Sequence, residues 1–260
     1  MRPRPIVMGI VNVTPDSFSD GGLHGDGVRH AERLIEEGAD WIDVGGESTR
    51  PGAPAVDAET EWDRVQPVIA AFANEIPVSI DTSKASVAIK ALRAGARIIN
   101  DVSGFSDEAM PAVTADAERT IVMHMRGTPQ TMQSLTHYEN LVQSVCDWLR
   151  ERAAMAKSAE VWIDPGIGFA KTAEQSIHLL GATGKIASMG LPVLIGASRK
   201  SFIDKAVGAP NPHHRLGGSL AAVASTWSDG AQAFRVHDVR ETRQLLDLLY
   251  AIEVAAQNRR

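Results

Sequence analysis

Short apolar runs, each followed by a polar residue, recur along the whole chain. They are Ile6–Val11, Trp41–Val44, Pro77–Ile80, Arg97–Ile99, Thr120–Met123, Val161–Ile163, Pro192–Ile195 and Ala233–Val236. Most are rich in Val and Ile and too short for helices, which predicts strands buried on both faces. The first run sets the template. It turns polar at Asn12 and continues through Thr14, Pro15, Asp16, Ser17, Ser19, Asp20 and two glycines, so a buried strand ends there and releases a polar loop.

Helical periodicity fills the intervals. Val28, Ala31, Leu34 and Ile35 share one face, with Asp26 as the expected cap and Gly38 as the expected stop. Trp62, Val65, Ile69 and Phe72 follow at helical spacing, and Pro67 inside that pattern is expected to kink or shorten the helix. Val87, Ala91 and Leu92 mark a helix that stops at Gly95, and Leu141, Val145, Trp148 and Leu149 a longer one. Ile177, Leu180 and Ile186 mark another, weakened by Gly181 and Gly184, and Leu245, Leu249 and Ile252 mark the last. Strands alternating with helices predict parallel βαβ units. An open doubly wound sheet uses the same units. A chain of 260 residues with no break in composition favours a single closed (β/α)8 TIM barrel over residues 1–260, with its site at the C-terminal ends of the strands.

Composition narrows the function classes. With 44% apolar and 22% charged residues the chain has ordinary globular material. A net charge of -6 argues against a nucleic-acid partner, though not against a local basic pocket for a small anion. The one cysteine, Cys146, cannot form an intramolecular disulfide and sits in an apolar helical pattern, which predicts a core residue in a reducing compartment. The start, MRPRPIVMGI, has neither a signal peptide nor an apolar span of about 20 residues, so a cytoplasmic chain without a membrane partner is expected.

The predicted strand ends carry Asn12, Asp43, Asp81, Asn100 with Asp101, His124, Asp164, Ser198-Arg199-Lys200, and Arg235 with His237. Any one Asp, Asn or Ser after a strand is ordinarily a cap or turn former, and Asp43 fits a purely structural hydrogen-bonding group. Caps do not account for Lys200, Arg235 and His237. The set as a whole predicts a polar ligand with an anionic part and a donor-rich part. The GxG in Asp164-Pro165-Gly166-Ile167-Gly168-Phe169 lacks the third glycine of a dinucleotide loop, and no HExxH, EF-hand, CxxC or GxxxxGK pattern occurs. His213 and His214 read as solvent-exposed, and His124 is compatible with a packed core residue.

These motifs together resemble the dihydropteroate synthase family. The resemblance rests on MGIVNVTPDSFSDGG from Met8, IDVGGESTRPGA from Ile42, SIDTSK from Ser79, INDVSG from Ile99, MHMRGTPQTMQ from Met123, DPGIGFAKT from Asp164, GASRKSF from Gly196 and RVHDV from Arg235. It covers nearly the whole chain. It implies a (β/α)8 barrel transferase of folate biosynthesis that joins 6-hydroxymethyl-7,8-dihydropterin pyrophosphate to p-aminobenzoate, giving 7,8-dihydropteroate and pyrophosphate.

On the matching positions the resemblance implies a pterin site of Asp81, Asn100, Met123, Asp164 and Lys200. A carboxylate such as Asp164 can accept two adjacent pterin N–H groups at once. It implies a pyrophosphate site of Asn12, Arg50, Arg235 and His237, with Asn12 as ligand to Mg2+, an ion that keeps several waters and takes few protein groups. Asp16 would stabilise positive charge as the first loop closes. With Lys200, Arg235 and His237 it makes the expected catalytic set. Phe18, Pro51 and Phe169 would wall a flat slot for p-aminobenzoate, with Thr49 on the second loop and Ser201 holding the carboxylate. Sulfonamide inhibition and a homodimer are implied likewise. Two other readings share parts of the pattern: a methyltetrahydrofolate-dependent methyltransferase barrel, and a catalytically silent pterin-binding paralogue. The STRPG, SRKS and RVHDV segments separate the first, and intact Asp16, Thr49, Arg50 and Lys200 separate the second.

Overall fold

The structure is a computed structural model that describes residues 2–14 and 23–257. Each apolar run is a strand: β1 (Ile6–Asn12), β2 (Trp41–Gly45), β3 (Val78–Asp81), β4 (Ile98–Asp101), β5 (Arg119–Met123), β6 (Glu160–Asp164), β7 (Leu194–Ile195) and β8 (Ala233–Val236). They form one 8-stranded sheet in the order β6-β5-β4-β3-β2-β1-β8-β7. Every ladder in it is parallel. The ring closes between β6 and β7 through a single parallel bridge, Ile163 to Val193. Ile163 N–H donates there to the Pro192 carbonyl at 3.0 Å.

The helices are α1 (Leu23–Glu36), α2 (Ala58–Phe72), α3 (Ala85–Arg93), α4 (Met110–Val113), α5 (Leu141–Ala153), α6 (Ala173–Gly181), α7 (Thr183–Ala187), α8 (Ser201–Val207), α9 (Leu216–Ser228) and α10 (Val239–Gln257). The larger core lies between sheet and helices, where outward strand residues such as Val7, Val44, Ile80 and Ile163 meet Leu34, Val65, Ile69 and Leu179. A second cluster of Met8, Trp41, Ile98, Ile121, Trp162, Leu194 and Ala233 fills one end of the barrel interior. Barrels of this type are packed rather than hollow.

Several local expectations are corrected. α1 begins at Leu23, so Asp26 lies in the first helical turn and not at the cap. Its carboxylate still faces the positive end of the helix dipole. α2 runs unbroken for 15 residues through Pro67, so the proline does not shorten it. Burial of Val65, Val68, Ile69 and Phe72 on both sides of Pro67 outweighs the missing hydrogen bond, a loss of about 3 kcal/mol. The pattern from Ile177 to Ile186 is two helices divided at Ala182, and Ile177 is exposed. Two helices, α8 and α9, follow β7, and α9 was not anticipated. Cys146 is a buried free thiol, as expected.

Candidate active site

Strand residues two apart share a face. On five strands the inward apolar residue is followed two positions later by a residue of the predicted site or its support: Trp41 by Asp43, Ile98 by Asn100, Ile121 by Met123, Trp162 by Asp164 and Ala233 by Arg235. The barrel therefore places these groups together at its C-terminal mouth.

Arg235 is the hub. Its Nε donates to Asp43 Oδ2 at 2.5 Å and its Nη2 to Asp81 Oδ2 at 2.6 Å. Asn100 Nδ2 donates to the same Asp43 oxygen at 3.0 Å. Asp43 is thus the structural group anticipated, and its task is to hold Arg235 and Asn100. Burial works against the Arg235 charge, but Asp43 and Asp81 more than offset it and push its pKa up. Burial pushes Asp81 up to about 8, with Arg235 opposing and Asp43 adding to the rise. Among the described residues Asp43 Oδ1 and Asp81 Oδ1 are buried with no partner. Unpaired buried acceptors are costly, and a donor-bearing ligand relieves that. A cavity of about 120 Å3 opens beside Asp81, with Thr49, Val102 and Met125 among its walls.

Asp164 ends β6, buried, with Oδ1 accepting the Gly166 N–H at 2.7 Å. Burial raises its pKa, and Lys200 is the main opposing charge. The loop after it is held tightly. Gly166 has φ +68°, and a Cβ there would lie 2.0 Å from the His124 carbonyl oxygen. Lys171, buried, donates to the carbonyls of Gly166 at 3.0 Å and Phe169 at 2.9 Å and lies 2.9 Å from His124 Nδ1. His124 is a packed core histidine, its pKa pushed down to about 2 by burial and then by Lys171.

Lys200 precedes α8. Its ammonium donates to the Ile167 carbonyl and lies 4.4 Å from the centre of the Phe169 ring. Burial pulls its pKa down to about 8, and Asp164 resists. The corner before it is set by Arg199, whose φ is +57°. Arg199 pairs with Asp238, its N–H donates to Ser219 Oγ at 3.0 Å, and its carbonyl accepts from Arg215 Nη1 at 2.9 Å. Ser201 is exposed at the first position of α8. His237 receives its neighbour from the same corner: its N–H donates to Ser198 Oγ at 3.2 Å, and Nδ1 lies 3.1 Å from that oxygen. Burial first, then Arg199 and Arg235, push His237 down to about 3. The ring is neutral, and we assign its hydrogen to Nε2, since the Ser198 hydroxyl is left to donate to Nδ1.

The second loop reaches over the mouth. Thr49 is half-buried, and Arg50 and Pro51 are exposed. Gly52 N–H donates to the Pro129 carbonyl at 3.0 Å, and Gln130 Nε2 to the Ala53 carbonyl at 2.5 Å. Arg50 is near enough to add to the field that depresses His237. Asn12 ends β1 half-buried, and Met123 is buried with Val102, Met125, Met132 and Ala170, against which Phe169 packs. Asp16 and Phe18 lie outside the described residues. His213 and His214 are exposed, as expected. No cluster of three or more His, Cys, Asp or Glu that could hold a metal occurs among the described residues.

Sequence reasoning missed Lys171 and Arg215. Both are long cations buried on backbone carbonyls; Arg215 also donates to those of Ala209 and Pro210. The glycine-rich turns beside Lys171, whose carbonyls face inward, were the available signal.

Residues 8–237 match the model of a family described as pterin binding enzyme. The chain is 42% identical over 261 residues to the dihydropteroate synthase of Synechocystis sp., covering 96% of this chain and 90% of that protein. Its fold is similar to that of the Xanthomonas albilineans dihydropteroate synthase solved with 4-aminobenzoic acid. The TM-score is 0.90 at 42% identity, over 96% of this chain and 93% of that one. It is similar also to the Yersinia pestis dihydropteroate synthase solved with a sulfonamide drug complex, with a TM-score of 0.87 at 38% identity, over 96% and 95% of the two chains.

Proposed function

We propose a division of labour for the residues of a chain that belongs to the pterin-binding enzyme family and, within it, to the dihydropteroate synthases. The reaction joins 6-hydroxymethyl-7,8-dihydropterin pyrophosphate to p-aminobenzoate and releases pyrophosphate. The observation that carries the assignment is the buried mouth in which Asp81, Asn100, Asp164 and Lys200 converge, with Asp81 Oδ1 unpartnered.

Asp164 accepts adjacent N–H groups from the pterin's guanidine-like edge, and Asn100 and Asp81 read the rest of that edge. Lys200 donates to the ring carbonyl and N5, and Met123 packs on the ring. Arg235, locked in its charged form between two carboxylates, sets the positive field near the pyrophosphate; neutral His237 donates to it from Nε2. Arg50 joins them from the second loop. The bond from the pterin methylene to the leaving oxygen breaks first, and the cation so formed is delocalised into the ring. The arylamine then attacks that carbon and gives up its proton. Fixed charges aimed at the developing ones supply most of the acceleration. Asp16 is assigned to stabilise the cation, brought by the first loop.

Magnesium fits as a partner of the pyrophosphate rather than as a resident of a protein cage. Asn12 offers one neutral amide, which suits an ion that takes most ligands from phosphate and water. When bound, it would neutralise charge on the leaving group. Phe18, Pro51 and Phe169 wall the p-aminobenzoate slot, with Thr49 and Ser201 at its polar ends; Phe169 is already pinned beneath the Lys200 ammonium. Sulfonamides occupy that slot, and an inhibition constant far above the KM for p-aminobenzoate would count against this. We assign the chain to the cytoplasm as one catalytic barrel and to a homodimer, which light scattering checks. Among the described residues no helix is long and apolar enough to cross a membrane.

The test is a product assay. Protein, dihydropterin pyrophosphate, p-aminobenzoate and Mg2+ are mixed, and 7,8-dihydropteroate is followed by mass. Product from the wild type that is lost in Asp164→Ala and Lys200→Ala supports the reading. Pterin bound without product supports the silent paralogue.

A further inference from the structure

We propose that Lys84 is a positioning residue: with Glu47 and Glu61 it forms an ion triad that fixes the base of the loop at residues 47–56 and so sets how Thr49 and Pro51 meet the second substrate. The proposal rests on the synthase reading above.

Three elements meet at Lys84, which immediately precedes α3. Its ammonium donates to Glu61 Oε2 at 2.6 Å and to Glu47 Oε2. Glu61 belongs to the first turn of α2 and is 0% exposed. Glu47 opens the second loop, and its other oxygen, Oε1, accepts the Val56 N–H at 3.2 Å. One carboxylate therefore closes the loop into a ring, and one ammonium ties that ring to a buried acid beneath it. The Lys84 N–H is itself fixed on Thr82 Oγ1 at 3.1 Å.

The backbone at the loop's root leaves no slack. A Cβ on Gly46 would lie 2.7 Å from the Glu61 carbonyl oxygen, so the loop begins in direct contact with α2. Arg64 Nη1 holds the Gly46 carbonyl at 2.8 Å. The far side of the loop rests on the turn at Pro129 and Gln130. Thr49 and Pro51 lie between these two attachments. Glu61 gives the triad its rigidity: burial disfavours its charge, and Lys84 is the main group that opposes this, with the Thr82 side chain second. A buried acid whose cation is removed must take a proton or pull in water, and either change loosens the root.

The experiment uses the full chain with Lys84→Met, Lys84→Arg and Glu47→Gln. Glu47→Gln keeps an acceptor for the Val56 N–H but turns an NH2 donor towards the Lys84 ammonium, so it breaks the Glu47–Lys84 link while leaving Lys84 on Glu61, and it remains informative where Lys84→Met fails to fold. Readouts are the KM for p-aminobenzoate, calorimetric binding of 6-hydroxymethylpterin, which lacks the pyrophosphate, and hydrogen exchange of the 48–56 amides. Misplacing a substrate-positioning loop by about 1 Å costs up to ~10²-fold, so KM is expected to rise about tenfold or more in Lys84→Met and Glu47→Gln. Pterin binding is expected to stay unchanged, exchange in 48–56 to quicken without change in β3, and Lys84→Arg to restore part of the loss. An unchanged KM in folded variants overturns the proposal, as does pterin binding that weakens in step with it. Should the wild type make no dihydropteroate, the synthase reading fails by itself. The anchoring is then decided by exchange, and unchanged protection of 48–56 overturns it.

Discussion

The two ends of the barrel interior are built by the same strands and differ by two residues. At one end Trp41, Ile98, Ile121, Trp162 and Ala233 pack into an apolar plug with Met8 and Leu194. At the other, Asp43, Asn100, Met123, Asp164 and Arg235 stand on the same faces and, Met123 apart, bring polar or charged groups to the mouth. The plug makes no demands beyond volume and gives the strands a firm base. The mouth is full of groups that burial disfavours, several of them with displaced pKa values. Stability is concentrated in one layer and chemistry in the next, so substitutions in each should separate cleanly.

The largest effect expected is on stability. Trp162→Ala should cost about 3–5 kcal/mol by denaturant unfolding, while the kcat of whatever protein remains folded is unchanged. A fall in kcat that tracks the lost stability would erase the distinction between the layers. Next comes Lys200→Ala in the mouth, expected to lower kcat/KM by ~10²-fold or more with little loss of melting temperature.

A pH profile sharpens the same contrast. Burial lowers the Lys200 pKa to about 8, so the ammonium is charged below that pH and neutral above it. As kcat/KM reports free-enzyme groups, it should fall as the pH rises through about 8, and Lys200→Arg, though slower, should lose that upper limb. Wild type and Lys200→Arg falling at the same pH would assign the limb elsewhere. For stability the sign is opposite. The folded state holds the Lys200 proton less tightly than the unfolded chain does, so this group's contribution rises as the pH increases from about 8 towards 10.5.

The smallest effect lies at the boundary between layers. Ser79 on β3 is fully buried, its hydroxyl has no partner among the described residues, and Asp81 follows two positions later. Removing an unpartnered buried hydroxyl lifts its desolvation cost, so Ser79→Ala should leave stability unchanged or raise it by up to about 1 kcal/mol and leave activity intact. A large loss would show that the mouth's polar network extends one layer deeper.

Strands and mouth were legible in the sequence because a buried parallel strand is a continuous apolar run, and the residue ending it points somewhere definite. The helices were less so. α9 buries Ser219, Ala222, Val223, Thr226 and Trp227, a helical face containing two hydroxyls, and an apolar-only pattern passes over it. Those hydroxyls bond back to the carbonyls of Arg215 and Ala222 at 2.9 and 2.7 Å, so the backbone meets their polar needs. Lys171, Arg215 and the triad of Glu47, Glu61 and Lys84 were illegible for a related reason. A lone charge reads as solvated, and only the fold brings it to its partners from distant parts of the chain.

The closure of the ring has a consequence for how the molecule responds to what it binds. β7 offers β8 two paired residues and β6 a single bridge, so the β6–β7 seam is the weakest join between neighbouring strands. Asp164 ends the strand on one side of that seam, and Lys200 stands beyond the strand on the other. A molecule gripped by both acts as a clasp across the join. Its binding fastens the barrel as well as filling it, and the amides of β6 and β7 should record its arrival most strongly.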